Sequence, residues 1–179
     1  MHAFLRLSAG IDALNRWFGY AASVCVLVAC LVSSGNAGLR YLFSLGSNAW
    51  LEMQWYLFAY LVMLGAAHVL KVNEHVRVDL AYGLLSVRGK IWVDFMGLLV
   101  FMMPATTYLL ILSWPPALDA WTTGEISPNA GGLVRWPARF ALPFGFALLA
   151  LQGVSEIVKR VAMLTGRITA ETHYERPLQ

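Results

Sequence analysis

Four stretches of this sequence contain no charged side chain, and their lengths suit a lipid bilayer. They cover residues 17–39, 53–70, 95–118 and 140–155. A membrane-spanning helix needs about 20 apolar residues, and the fourth stretch reaches that length when its flanks from Trp136 to Val158 are included. We therefore predict an all-α integral membrane protein with four transmembrane helices. The predicted spans are about 17–39, 50–70, 91–113 and 138–160.

The composition excludes the main soluble classes of protein. Hydrophobic residues make up 59% of the 179-residue chain and charged residues 13%, whereas a soluble domain carries about 25% charged residues. The chain has too little charge to cover a water-facing surface, and its high apolar content argues against intrinsic disorder. We expect contacts with membrane lipids and none with nucleic acid.

Basic residues are distributed unequally between the two ends of the predicted spans. Ten of the thirteen Lys and Arg residues precede span 1, separate spans 2 and 3, or follow span 4, and the other three are Arg40, Arg135 and Arg139. Cytoplasmic connections carry the excess of basic residues, so we predict that both termini are cytoplasmic. Residues 1–166 then form one four-helix membrane domain, and residues 167–179 form a cytoplasmic tail.

Three patterns occur outside the spans. Residues 2–16 have apolar side chains at helical spacing, which predicts either a short amphipathic interfacial helix or a cytoplasmic extension of span 1. A second short amphipathic helix is predicted between spans 2 and 3, from about Val78 to Val87, with Asp79 as its N-cap. The outer connection from about Ser113 to Arg139 is long and proline-containing, and is either a functional loop or a passive connector.

The interior of the spans offers no chemistry of its own. The predicted span centres, near Leu27, Leu61, Met103 and Leu148, carry no Asp, Glu, Lys or Arg. Proteins that move ions or protons usually place ionisable groups at that depth, so this chain is unsuited to form a polar pathway alone. His68 favours a buried hydrogen-bonded role over a ligand role. We predict no catalytic, cofactor-binding or metal site and no enzymatic activity.

Charged and small residues near the span ends point to helix contacts. Arg40 and Glu52 flank the turn between spans 1 and 2, where they either pair with each other, contact a partner protein or remain solvated. Glu156 is spaced to pair with Lys159 and Arg160 along one helix. Small residues recur every four positions, which suits close helix packing within this bundle or against another protein; they are Ala29, Ser33 and Ala37 in span 1, and Ala141 and Gly145 in span 4.

Several motifs, in this order and spacing, resemble a known family over roughly residues 17–166. They are Arg40-Tyr41 with Phe43, Glu52, Gly65-Ala66-Ala67, His75-Val76-Arg77-Val78-Asp79, Gly124-Glu125-Ile126-Ser127, Leu142-Pro143-Phe144-Gly145-Phe146 and Leu151-Gln152-Gly153. Together they resemble the small membrane (Q) subunit of tripartite ATP-independent periplasmic (TRAP) transporters. The run from His75 to Asp79 is the most specific of them.

The resemblance implies a multi-pass protein of the bacterial inner membrane that works with two partners. A periplasmic substrate-binding (P) protein would deliver an organic acid to a large transport (M) subunit, which would carry the substrate and sodium sites and import the acid by symport. The small subunit would brace the large one and help dock the P protein. The resemblance implies that Arg40 and Glu52 anchor the outer part of the subunit contact. It also implies that His75, Arg77 and Asp79 either fix the inner interfacial helix or contact the large subunit. We place the docking candidates Trp121, Glu125 and Arg135 near the outer connection, where Glu125 would lie on the periplasmic face.

Two alternatives stay open at this point. In the first alternative the chain is a self-sufficient small transporter that acts as a homo-oligomer. In the second it is a membrane anchor subunit of a redox complex. The first needs a polar path that the sequence does not show, and the second needs a bound chromophore. The substrate is not encoded here, because the resemblance places recognition in other subunits.

Overall fold

The structure is a computed structural model that describes residues 2–72 and 85–168. These residues are helical apart from short connections and one isolated bridge between Ile126 and Val134. The helices are α1 (His2–Phe43), α2 (Asn48–Val72), α3 (Val87–Met96), a π-helical segment (Gly97–Met102), α4 (Met103–Thr123) and α5 (Trp136–Leu164). Because α3, the π-helical segment and α4 run on without a break, the described residues contain four helices long and apolar enough to cross a membrane. The prediction of an all-helical, four-span protein is confirmed.

Helix α5 lies at the centre of the bundle and contacts the other three membrane helices. In its most apolar window 44% of the residues are buried, against 6–11% in the other spans. The outer helices instead expose many large apolar side chains, including Leu27, Phe58 and Phe101. Such surfaces are suited to lipid or to another membrane protein.

Small residues let the neighbouring helices approach α5 closely. A Cβ atom added to Gly145 would lie 2.8 Å from Met63 Cε and 2.9 Å from the Met63 carbonyl oxygen. A Cβ atom at Gly153 would lie 2.7 Å from Met103 Sδ. Ala141 is fully buried. A larger side chain at Gly145 would meet the backbone of α2, and one at Gly153 would have to displace methionine side chains, which is typical of close packing between membrane helices.

Helix α1 differs from the short interfacial helix predicted before span 1. Residues 2–43 form one continuous helix of 42 residues, which is roughly 60 Å long at 1.5 Å per residue. No proline interrupts this stretch, and Ser8, Asp12 and Asn15 are held against α5 by hydrogen bonds. Residues 2–16 therefore continue span 1, and a separate amphipathic helix is absent from this part of the described chain.

The outer connection is shorter than predicted. Helix α4 continues past Ser113 to Thr123 and includes Pro115 and Pro116. These two prolines have no N–H to donate to the carbonyls of Ile111 and Leu112 four residues earlier, an interruption that membrane helices tolerate. The helix ends at Gly124, whose φ of 63° is a left-handed conformation that favours glycine. The connection is therefore a loop over residues 124–135.

The bundle has two ends, which we call the loop end and the terminal end. The loop end contains the turn at residues 44–47 and the loop at 124–135, and the terminal end contains residues 2–16 and 152–168. Most of the second predicted interfacial helix, at about 78–87, lies outside the described residues. Helix α3 begins at Val87, and the Ser86 hydroxyl accepts a hydrogen bond from the Gly89 N–H as its N-cap.

Candidate functional site

The carboxylate of Glu52 holds the loop of residues 124–135 against α2. Its Oε1 accepts hydrogen bonds from the Ser127 hydroxyl and, at 2.7 Å, from Asn129 Nδ2. Its Oε2 accepts the Leu133 N–H at 2.7 Å. The residue is only 3% exposed, and a buried charge is tolerated when its hydrogen-bonding capacity is met in this way. The partners of Glu52 are thus in the loop, and Arg40 is not among them.

Three more side chains of α2, at intervals of four residues, bond this loop or the first turn of α5 that follows it. Asn48 Nδ2 donates to the Ala130 carbonyl at 3.0 Å, and the Tyr56 hydroxyl donates to the Val134 carbonyl at 3.0 Å. The Tyr60 hydroxyl donates to the Pro137 carbonyl at 2.7 Å. Residues four apart share one face of a helix, so α2 presents a continuous row of polar groups to the loop and to the start of α5. The sequence carries this signal at positions 48, 52, 56 and 60, and the sequence analysis missed it.

The predicted docking candidates Trp121, Glu125 and Arg135 lie close together at the loop end. Glu125 Oε1 accepts from Arg135 Nη1 at 3.0 Å and from Arg139 Nη2 at 2.8 Å. Trp121 packs edge-on against Trp136 with 4.5 Å between ring centroids. Partial burial by itself would raise the pKa of Glu125, but the hydrogen bonds and positive charges of Arg135 and Arg139 outweigh it and hold the pKa below its ordinary value.

A groove opens between α1 and α2. It has a volume of about 510 Å³, and Arg40 is one of the residues that line it. Ser33 and Ala37 line it from α1, and both are exposed, whereas Ala29 is half-buried. Of the small residues predicted to pack helices, those in α5 lie inside this bundle and those in α1 lie mainly at its surface. We call this feature the α1–α2 groove.

The terminal end is joined by a network of ionic and polar side chains. Glu156 pairs with Lys159 at 2.7 Å and with Arg160, which confirms the predicted pairing along α5. Lys159 Nζ also lies 2.7 Å from Asp12 Oδ2 of α1. Arg160 Nε lies 3.7 Å from Asp94 Oδ2 of α3. The network therefore connects three helices through two adjacent basic residues of α5.

Buried amides and hydroxyls extend this network along α1. Gln152 is fully buried; its Oε1 accepts from Asn15 Nδ2 at 2.7 Å, and its Nε2 donates to Asp12 Oδ1 at 2.9 Å. The Ser8 and Ser155 hydroxyl oxygens are 2.7 Å apart. The sequence analysis did not identify Asp12, Asn15 or Ser8, because their partners lie on a helix more than 130 positions later.

Histidine and cysteine form no recognisable ligand site in the described ranges. His68 packs against Gly19, and its buried Nδ1 has no hydrogen-bond partner among residues 2–72 and 85–168, so the predicted hydrogen-bonded role is not seen there. No group of three or more His, Cys, Asp or Glu side chains in these ranges is arranged to hold a metal ion. His75, Arg77 and Asp79, predicted as subunit contacts, lie outside the described residues.

A comparison with protein families assigns the chain. Residues 29–163 match the model described as "Tripartite ATP-independent periplasmic transporters, DctQ component". The matched region contains the last part of span 1, nearly all of the other three spans, Arg40, Glu52 and the loop of residues 124–135. No curated protein and no solved structure matches the chain. Since the family model covers well over half of the sequence, the chain belongs to the DctQ component family of the tripartite ATP-independent periplasmic transporters.

Proposed function

We propose that this chain is the non-catalytic small subunit of a sodium-coupled TRAP transporter in the bacterial inner membrane. In this role it braces the large transport (M) subunit and helps to dock the periplasmic substrate-binding (P) protein during import of an organic acid. The family assignment supports a transporter subunit over the alternatives of a self-sufficient transporter or a redox anchor. One observation supports the docking role in this proposal, the fixed loop at the loop end of the bundle.

A docking surface benefits from being preformed. Hydrogen bonds from Asn48 and Tyr56, and hydrogen bonds to Glu52, hold the loop at successive turns of α2, and Tyr60 holds the start of α5. A surface that is already ordered loses little conformational entropy when a partner binds. With both termini in the cytoplasm, as the basic residues favour, this surface faces the periplasm and the P protein.

The exposed part of the loop end has the chemistry of a transient protein contact. Trp121 is 55% exposed, and the side chains of Arg135 and Glu125 are 45% and 27% exposed. Tryptophan and arginine are enriched among residues that dominate binding energy. Exposed charges at an interface rim mainly set orientation and association rate, which suits a binding protein that must dock and leave repeatedly.

The bracing role is supported by how the bundle is joined. The terminal-end network links α1, α3 and α5, and the loop end links α2 to the loop that precedes α5. The predicted span centres carry no ionisable residue of the kind that a transport path needs. Substrate and sodium sites accordingly belong to the M subunit in this proposal.

The test is sodium-driven uptake in proteoliposomes that contain this chain and the M subunit, with the P protein added at increasing concentration. Arg135→Glu and Trp121→Ala should each raise the P concentration needed for half-maximal uptake by roughly tenfold, equivalent to about 1.4 kcal/mol. Asp119→Asn, an exposed acid at the same end, should leave it unchanged. Copurification of the M subunit should be the same in all four proteins.

Three results would overturn the proposal. The docking role fails if neither Arg135→Glu nor Trp121→Ala changes the dependence on the P protein. The bracing role fails if the M subunit and P protein reach full uptake without this chain. Uptake by this chain alone, or a visible absorption band from a bound redox group, would revive the corresponding alternative.

A further inference from the structure

Arg40 differs from Arg135 and Arg139 because it has no ion-pair partner in the part of the chain that the structure describes. Arg135 and Arg139 share the carboxylate of Glu125, and Glu52 is occupied by the loop. Arg40 is exposed at the end of α1 and makes no ion pair within residues 2–72 and 85–168. A guanidinium remains charged at any physiological pH and offers five donors, so this position is suited to an acidic partner.

Beneath Arg40, the α1–α2 groove is lined by polar side chains at a level where the surrounding lipid is apolar. Asn36 and Ser33 lie one and two turns before Arg40, and Gln54 faces them from the second turn of α2. None of these three side chains makes a hydrogen bond within the described ranges. In a bilayer an amide without a partner carries a free-energy penalty, because hydrocarbon cannot hydrogen-bond to it. A polar partner that enters the groove below the level of the headgroups would therefore remove this penalty.

The shape of the groove admits a helix. Ser33 and Ala37 are four residues apart and exposed on the α1 wall, and this small-residue spacing lets the backbone of a second helix approach closely. The opening of about 510 Å³ is sufficient for side chains of such a helix to enter.

A phospholipid fits these features less well than a helix does. A phosphate could meet Arg40, but its acyl chains would then lie against Ser33, Asn36 and Gln54 and leave them without partners. A transmembrane helix can supply a carboxylate at the level of Arg40 and hydrogen-bonding side chains one or two turns deeper, where interhelical hydrogen bonds are common.

We propose that the α1–α2 groove seats a transmembrane helix of the large subunit, which presents a carboxylate to Arg40 and polar side chains to Asn36 and Gln54. This inference rests on the proposed function, which supplies the large subunit as the partner, and adds the face of this chain that the partner occupies. The loop-end surface around Glu125 then remains free for the P protein.

The first experiment measures copurification of the large subunit with tagged variants of this chain. Arg40→Glu should lower the yield of large subunit about tenfold, and Arg40→Gln should lower it less, because the charge is removed and not reversed. Arg16→Gln, at an exposed arginine on the same helix but at the terminal end, should leave the yield unchanged. Each variant alone must elute from a sizing column as the unaltered protein does.

A second variant distinguishes an effect on binding from an effect on folding, because the stability of the isolated protein and the yield of the complex should not fall together. The double substitution Asn36→Leu with Gln54→Leu removes polar groups that have no partner within the described chain, so the isolated protein should resist detergent unfolding equally well or better. The same variant should lower the yield of the complex, because the partner's polar side chains lose their hydrogen bonds. A destabilised isolated protein with a normal yield of complex contradicts the inference.

A photoreactive amino acid placed at Ala37 identifies the occupant directly. It should capture the large subunit, whereas the same group at Leu31, which is 64% exposed on another face of α1, should capture lipid. Capture of lipid or of a second copy of this chain at Ala37, with a normal yield of complex from Arg40→Glu, overturns the inference and leaves the proposed function intact. Failure of the unaltered chain to bind the large subunit defeats the proposed function itself.

Discussion

Gln152 is the buried residue whose replacement should most directly separate α1 from α5. We consider Gln152→Leu, which keeps the approximate size of the side chain and removes its hydrogen bonds. Two of these bonds cross to α1, reaching Asn15 at 2.7 Å and Asp12 at 2.9 Å, and the third stays within α5, reaching Glu156 at 3.0 Å. The consequence differs for the three partners.

The three partners differ in the hydrogen bonds and ion pairs that they keep after the substitution. Asp12 keeps Ser155 and Lys159, and Glu156 keeps its two basic neighbours. Asn15 loses its partner, and its buried Oδ1 already has none among the described residues. Two interhelical hydrogen bonds in a membrane protein are worth about 1.2 kcal/mol together. An orphaned buried amide adds about 1 kcal/mol, so the free energy of unfolding should fall by about 2 kcal/mol.

The assay is reversible unfolding of the purified protein in mixed detergent micelles of increasing denaturing-detergent fraction. Leu151→Ala, a neighbouring change on a side chain that is 43% exposed, should have a much smaller effect. Asn15→Leu combined with Gln152→Leu should be more stable than Gln152→Leu alone, by about 1 kcal/mol, because the orphaned amide is removed. The reasoning is refuted if the double variant is no more stable than the single one.

Three further outcomes follow from the same structure. In a background without native cysteines, Ser8→Cys with Ser155→Cys should form a disulfide under mild oxidation, because the parent hydroxyl oxygens are 2.7 Å apart; Leu7→Cys with Ser155→Cys should not, as judged by a gel-mobility shift. Gly145→Leu should lower the free energy of unfolding by about 1–3 kcal/mol through overpacking, whereas a leucine at a glycine with no atom within 4 Å of its added Cβ, such as Gly35, should be tolerated. The pKa of Glu125 is lowered, so its contribution to loop order is present above the ordinary Glu pKa and is lost as pH falls through the lower folded value. The mobility of a spin label in the loop should therefore stay constant between pH 8 and pH 5 and rise only in acid. The acid transition should be smaller in Glu125→Gln.

Features that depend on nearby residues were predictable from the sequence. The four spans follow from uncharged runs of bilayer length, and each run is found inside a helix. The pairing of Glu156 with Lys159 and Arg160 follows from their spacing along one helix. Neither prediction depends on how distant parts of the chain meet, which is why both are confirmed.

Helix ends were predicted less well, because local signals compete with tertiary contacts. The third span was predicted to end at about residue 113, yet α4 continues through Pro115 and Pro116 to Thr123 and ends where Gly124 adopts a left-handed conformation. Residues 2–16 allowed either a separate helix or an extension, and hydrogen bonds from α1 to Gln152 and Ser155 accompany the continuous form. The sequence does not reveal those distant partners.

Arg40 and Glu52 are neighbours in the sequence pattern, but the structure places them in different surroundings. Both flank the turn between α1 and α2, but the Glu52 carboxylate is buried with three hydrogen-bond donors from the loop, whereas Arg40 makes no ion pair among the described residues. A group whose hydrogen-bonding capacity is already met gains little from a new partner, and an unpaired charge gains most. We therefore expect Glu52→Gln to loosen the loop, measured as faster modification of a cysteine placed at Ala130, with little direct effect on binding of the large subunit. Arg40→Gln should weaken that binding and leave the modification rate unchanged, and the division of roles is wrong if the two variants change the same measurement.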